Sequence, residues 1–314
     1  MPQVSIIIAT HSRPHLLPRA VRSAFAAGDE VEVIVVDDAS SDDTARVCEG
    51  LKGIKYVRVD RNQRTAGARN VGILHSTAEY VGFLDDDDWR LPGVLNEQLD
   101  ILNRNPAIGL VYARFLAADQ TGQIIDVPAM PKFCPQGDIF WNLMISNSIG
   151  CLTAVFRKSC LARVGLLDQS LSGIDDLDLW IRIAELYEVA AIDKPAAVWR
   201  VSRENSGQGS SNPVKLLARS IPAFDKKWSK LPRAVKDKEK LAEIRPQFID
   251  NLVNRLLRDA MLTLELTAGL KKFYQILKLH PPHLFRRVTF EMITNLFVFK
   301  LRWLKYQYKQ NKKS

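Results

Sequence analysis

Apolar and polar positions along the chain follow two rhythms in alternation. Residues 4–10, VSIIIAT, form an unbroken apolar run rich in β-branched side chains, as expected of a strand covered on both faces. RPHLLPRAVRSAFAAG then spaces its apolar residues at helical intervals and stops at Gly28. VEVIVVDD at 31–38 returns to the strand rhythm, and SSDDTARVCEGLKG opens on capping residues and closes on Gly53, which predicts a helix. IKYVRVD (54–60), TAGARNVGILHSTA and EYVGFLD (79–85) repeat strand, helix and strand. Four strands alternating with helices predict an α/β fold with a parallel, doubly wound sheet. Ligands in such sheets bind beyond the carboxyl ends of the strands, so the residues that end these strands are the first candidates for chemistry.

The alternation loosens further on. LPGVLNEQLDILNRNP predicts a helix, IGLVYARFLAAD a strand leading into the turn DQTGQ, and LTAVFRKSCLARVG a strand with a short helix. DDLDLWIRIAELY (175–187) predicts a helix with Leu177, Ile181, Ala184 and Leu186 near one face and aspartates in its first turn. VAAI and AAVWRV read as two short strands and SRENSGQGSSNP (202–213) as a loop. After Pro213 only helical patterns remain, which divides the chain into residues 1–212 and a helical, basic region, 213–314.

Acidic residues gather at three of the predicted junctions. In VVDDAS, Asp37 and Asp38 end the second strand, where a carboxylate can accept hydrogen bonds from a ribose or a base or can cap the next helix. YVGFLDDDDW sets Asp85, Asp86, Asp87 and Asp88 side by side. Two like charges 4 Å apart repel by about 4 kcal/mol at an effective dielectric near 20, so the run needs a cation or full solvation. In an extended chain Asp85 and Asp87 point to the same side, presenting hard oxygen ligands suited to Mg²⁺ or Mn²⁺. SGIDDLDLW places Asp175, Asp176 and Asp178 at a helix start, where the dipole predicts lowered pKa values and ionised carboxylates. These are candidates for a general base or for N-capping. Arg64 and Arg69 in RTAGARNVG, and Arg200 and Arg203 in WRVSRENS, are cations able to pair with phosphate oxygens.

Composition narrows the setting. With 314 residues, 46% of them hydrophobic, one large domain or two smaller ones can be built around real cores. Cys48, Cys134, Cys151 and Cys160 lack any C-x-x-C pair, which excludes a disulfide framework or zinc site and predicts reduced thiols. The N-terminus shows neither a basic region nor a long apolar one, and no segment reaches the roughly 18 apolar residues of a membrane span. A cytoplasmic location is the expectation. The net charge of +9 sits at one end: residues 270–314 hold eleven Lys and Arg against one acid, Glu291. There Phe290, Ile293, Phe297, Leu301, Leu304 and Tyr308 recur every three or four residues. Residues 288–314 therefore read as an amphipathic helix for an anionic membrane surface on the inner face, or as a helix packed on the core with a basic outer face. No nucleic-acid module accompanies the charge, so nucleic acid is not an expected partner.

Five segments in this order, SIIIATHSRP, VIVVDDAS, AGARNVG, YVGFLDDDDW and GIDDLDLWIR, resemble family 2 glycosyltransferases of the GT-A fold over residues 3–206. The resemblance implies sugar transfer with inversion from a nucleoside-diphosphate sugar, a UDP- or dTDP-sugar, to a hydroxyl of a glycan or lipid-linked acceptor in polysaccharide biosynthesis. It implies that Thr10, His11 and Arg13 border the nucleotide, Asp38 contacts the base or ribose, and Arg69 lies near the diphosphate. Asp85 and Asp87 match the D-x-D pair that holds Mn²⁺ or Mg²⁺, with Asp86 between them in the same donor site. Asp176 matches the catalytic base, and Asp175 stands where many members carry Glu. Two positions depart from the family: His11 replaces Asn or Tyr, and Ser202 stands in place of a diphosphate-contacting His, leaving that contact to Arg200 or Arg203. The alternative is a non-catalytic nucleotide-binding scaffold of the same fold, which would be expected to have lost some of these aspartates. The transferase reading requires Asp38, Asp87 and Asp176 to converge on one pocket.

Overall fold

A computed structural model describes residues 1–201, 213–261, 271 and 274–278. The first half runs β1 (Val4–Thr10), α1 (Leu17–Ala26), β2 (Val31–Asp37), α2 (Thr44–Glu49), β3 (Lys55–Arg58), α3 (Arg64–His75), β4 (Tyr80–Asp85), β5 (Trp89–Arg90), α4 (Val94–Arg104) and β6 (Ile108–Ala118). The chain continues through α5 (Phe140–Ile145), β7 (Val155–Arg157), α6 (Leu161–Val164), α7 (Asp175–Leu186), β8 (Glu188–Arg200), α8 (Pro213–Lys226), α9 (Pro232–Lys236) and α10 (Lys238–Met261).

One eight-stranded sheet takes the order β3-β2-β1-β4-β7-β6-β8-β5. Its first four strands are parallel. β7 then runs antiparallel to both β4 and β6, β8 parallel to β6, and β5 antiparallel to β8. The sheet is thus the mostly parallel, helix-flanked sheet of the GT-A fold, and its parallel half ends, at the carboxyl edge, on Thr10, Asp37 and Asp85. The two short strands expected between 189 and 201 are one strand, β8. Its register against β6 shifts on either side of Arg114, and this irregularity, with Pro195 inside the strand, breaks the pattern in the sequence.

Side chains of the parallel strands alternate between two cores. Ile7, Ile34, Val36, Val81 and Phe83 face α3, α5, α7 and the helices after Pro213. Ile6, Ile8, Val33 and Val35 face α1 and α4, meeting Leu17, Val21, Leu95 and Leu99. Being covered on both sides is why these strands read as continuous apolar runs. α3 lies hard against β1: a Cβ at Gly72 would collide with the Ile7 side chain. Phe224, Trp228, Phe248 and Leu256 belong to the same core as Ile7 and Phe83, so α8 and α10 pack on the core of the sheet.

All four cysteines are free. No helix among the described residues is long and apolar enough to cross a membrane. The basic segment 288–314 lies outside the described residues, as do Ser202 and Arg203.

Candidate active site

β1 delivers Thr10 to the carboxyl edge, where it is buried and its hydroxyl donates to Asp86 Oδ2 at 2.6 Å. Just beyond it, Arg13 pairs with both Asp86 and Asp87, at 2.9 Å to the latter. Asp86 is fully buried. Burial drives its carboxyl up to about 7 against the pull of Arg13 and the Thr10 hydroxyl. Asp86 therefore braces the turn from beneath and, like Thr10, does not line the cavity described below.

β4 ends at Asp85, and the chain turns at once, the Asp88 N–H donating to the Asp85 carbonyl at 3.1 Å. The extended geometry that would put only Asp85 and Asp87 on one side stops at the strand end. The turn swings Asp88 back, so that carboxylate oxygens of Asp85, Asp87 and Asp88 lie within 4.8 Å of one another. Burial, then Asp85 and Asp87, push the Asp88 carboxyl well above its ordinary range. Burial and then Asp85 raise Asp87 as well. Three hard oxygen donors crowded in a poorly solvated turn form a donor set that fits Mg²⁺ or Mn²⁺. Asp88 is the member that alternation along a strand could not find.

Arg69 links this turn to α7. The residue is 5% exposed, and its guanidinium lies over the Phe83 ring and contacts Asp85 Oδ1 at 2.8 Å and Asp175 Oδ2 at 3.2 Å. At the start of α7, Asp175 also accepts from the Gly173 N–H at 3.0 Å, and Asp176 from the Leu177 N–H at 2.8 Å. Asp178 turns away into the protein, pairing with Arg182 at 2.8 Å and accepting from Trp228 Nε1 at 2.9 Å. The lowered pKa expected at this helix start does not hold for Asp176. Burial, then repulsion from Asp175, raise it to about 6 against the pull of Arg69. At that value it is still about nine-tenths ionised at pH 7, and better matched to proton transfer near neutrality than an ordinary carboxylate.

Arg13, Arg69, Asp85, Asp87, Asp175 and Asp176 line one cavity of about 340 Å³. Of the three aspartates expected to converge, Asp87 and Asp176 share it and Asp38 does not. β2 lies two strands from β4, about 10 Å across the sheet, and the Asp38 carboxylate accepts from the Gln63 N–H at 2.6 Å. Asp37 is a structural residue: Ser40, Tyr56 and Arg58 fill its oxygens. His11 is exposed beside them, with Nδ1 2.8 Å from the Asp38 carbonyl oxygen. Arg200 is also outside the cavity, its Nε and Nη2 donating to the Gln120 carbonyl at 3.0 and 2.8 Å.

Two further contributions escaped the sequence. Cys151 lines the cavity, its thiol held well above the usual range by burial and so kept protonated. The far wall comes from Leu216 and Ser220 of α8 and from Phe248, Asn251, Leu252 and Arg255 of α10. These residues lie in segments legible only as helices, and no motif marks them.

Comparison with known proteins gives the family and the fold. A family model described as glycosyl transferase family 2 matches residues 5–162, half of the chain. A GalNAc(5)-diNAcBac-PP-undecaprenol beta-1,3-glucosyltransferase of Campylobacter jejuni is 37% identical over 215 residues, covering 66% of this chain and 67% of its own. The succinoglycan biosynthesis protein ExoU of Rhizobium meliloti is 30% identical over 229 residues, covering 68% and 66%. The chain spans only 33% of a longer glycosyltransferase from Rickettsia conorii, 27% identical over 204 residues. Among solved structures, S. aureus TarS 1-349 in complex with UDP-GlcNAc has a TM-score of 0.59 at 16% identity, covering 88% of this chain and 79% of its own. The mannosyltransferase PcManGT from Pyrobaculum calidifontis, in complex with GDP-Man and Mn²⁺, has a TM-score of 0.55 at 21% identity, covering 96% and 87%. At those identities the two structures establish a shared fold. With the match over its first half and the relative from Campylobacter covered over two thirds of its length, the chain belongs to glycosyl transferase family 2.

Proposed function

We propose that the chain is a metal-dependent, inverting glycosyltransferase that moves a sugar from a nucleoside-diphosphate sugar to a hydroxyl of a glycan or lipid-linked acceptor in polysaccharide biosynthesis. One observation carries the reading: Asp85 and Asp87 of the carboxylate cluster line the same cavity as the Asp176 carboxylate. Asp85, Asp87 and Asp88 would hold the Mg²⁺ or Mn²⁺, whose chemistry when bound is to take up charge on the departing diphosphate. Arg13 and Arg69 line the same side and add positive charge there. Asp176 accepts the proton of the acceptor hydroxyl, whose oxygen bonds to the anomeric carbon as the bond to the diphosphate oxygen breaks. Attack opposite the leaving group inverts that carbon. The relatives' names, with their lipid-linked and succinoglycan products, support the acceptor class. The basic pattern of 288–314 supports work at an anionic membrane surface on the cytoplasmic side.

Thermal melting of the purified chain with UDP-GlcNAc, a dTDP-sugar or GDP-mannose, each with and without Mn²⁺, tests this reading. A donor that binds only with the ion should stabilise the protein by about 2.7 kcal/mol at a hundred times its Kd. If no donor shifts the melt with Mn²⁺ or Mg²⁺, the donor reading is wrong.

A further inference from the structure

Three arginines line the cavity, and they are not equivalent. Arg13 is taken by Asp86 and Asp87, and Arg69 by Asp85 and Asp175. Arg255, on α10, is exposed and lines the cavity, and no acid pairs with it among the described residues. Asn251 lies one helical turn before it on the same wall, and Ser220 of α8, 2% exposed, also lines it. Phe248 and Leu252 complete a surface that is apolar below and cationic at one point.

Contacts within the protein fix which substrate this wall meets. Arg219 of α8 donates to the Ser172 carbonyl, and just after that helix Lys227 pairs with Asp168 and Trp228 donates to Asp178. The helical wall is therefore seated on the loop and helix that carry Asp176, while the carboxylate cluster lies at the end of β4 on the other side of Arg69. Donor diphosphate belongs with the cluster. The attacking hydroxyl must approach from the opposite side, where Asp176 takes its proton, and that is the side of α8 and α10. A guanidinium placed there, with no acid partner among the described residues, adds nothing to a neutral sugar that Asn251 and Ser220 do not already supply. It has a use if the acceptor brings negative charge.

We infer that Arg255 determines acceptor specificity by binding a phosphate-ester anion on the acceptor, with Asn251 and Ser220 as neutral hydrogen-bonding groups beside it. The inference rests on the transferase reading, since only a transferase has an acceptor to hold. The anion is a lipid-linked diphosphate or the phosphate of a soluble sugar.

Calorimetric titration of the full chain, saturated with Mn²⁺ and a nucleoside diphosphate, tests it with three probes: farnesyl-diphospho-N-acetylglucosamine, N-acetylglucosamine 1-phosphate and neutral octyl N-acetylglucosaminide. The wild type should hold at least one charged probe more tightly than the neutral one. Arg255→Ala should lose about tenfold to a hundredfold on that probe and leave the neutral one unchanged, with Arg255→Lys in between. Loss confined to the farnesyl probe assigns the anion to a lipid-linked diphosphate, and loss on both charged probes assigns it to the phosphate alone. Equal affinity of wild type and Arg255→Ala for every probe, or equal loss on charged and neutral probes, overturns the inference. If UDP, dTDP and GDP all fail to bind with Mn²⁺, the transferase reading falls first and takes the inference with it.

Discussion

Around Asp85–Asp88 nearly every side chain is charged and most are buried, whereas across the cavity α8 and α10 present Leu216, Phe248 and Leu252 beside a single charge, Arg255. The first wall is held by opposed charges: Arg13 between Asp86 and Asp87, and Arg69 between Asp85 and Asp175. The second is held by apolar packing, with Phe224 stacked on Phe248 at 4.9 Å and Trp228 edge-on to both. Like charges crowded in a turn oppose folding, as the raised carboxyls of Asp87 and Asp88 show, so that wall cannot be the source of the fold's stability. The helical wall supplies what the acidic wall withholds. Substitutions of the carboxylates on the first wall should change chemistry at little cost in stability, and substitutions of the apolar side chains on the second should do the reverse.

The largest effect expected is at Asp176. Asp176→Asn should lower kcat by about 10²–10⁴-fold with melting temperature and donor Kd close to wild type. Equal loss of binding and turnover would make Asp176 a structural residue and dissolve the contrast. Its pH profile sharpens the same test. The base works ionised, so rate should fall as pH drops through about 6, with a bound cation moving the limb lower. The folded pKa lies above the ordinary carboxylate value, so the folded state holds the proton more tightly. Its contribution to stability is therefore favourable below about pH 4 and fades as pH rises to about 6, a trend Asp176→Asn should abolish.

On the helical wall, Phe248→Ala empties a stacked site and should cost about 3–5 kcal/mol in urea unfolding while donor affinity in the surviving folded protein stays unchanged. A matching loss of donor affinity would mean that the two walls are not separable. The smallest effect belongs to Trp228→Phe, which removes one donor from buried Asp178 and leaves Arg182 in place. About 1–2 kcal/mol of stability should go, read in the same unfolding experiment, with kcat within twofold of wild type.

The contrast also explains what could be read from the sequence. Strands covered on both faces must be apolar throughout, so β1, β2 and β4 were legible to within a residue or two. Carboxylates at element ends are conspicuous by type and position, so Asp85, Asp87 and Asp176, which line one cavity, could be singled out as candidates. Asp88 was hidden because a turn, not a strand, sets its direction. Arg200 lies outside the cavity, with its guanidinium on the Gln120 carbonyl, a contact no local pattern carries. Asp38 ends a strand as expected, but the sheet places that strand two neighbours from Asp85, a distance no local pattern carries. The residues of α8 and α10 were invisible as a site, since many apolar side chains at helical spacing would pack equally well there.

Gly72 carries no functional group, yet its bareness governs the electrostatics of the cavity. It lets α3 rest on Ile7 of β1, and three residues earlier the same helix holds Arg69 at contact distance from both Asp85 and Asp175. A methyl group at position 72 would lever the helix off the strand and pull the guanidinium from two carboxylates at once. The lesion would register as misplaced charge, although the atom that caused it is as apolar as any in the protein.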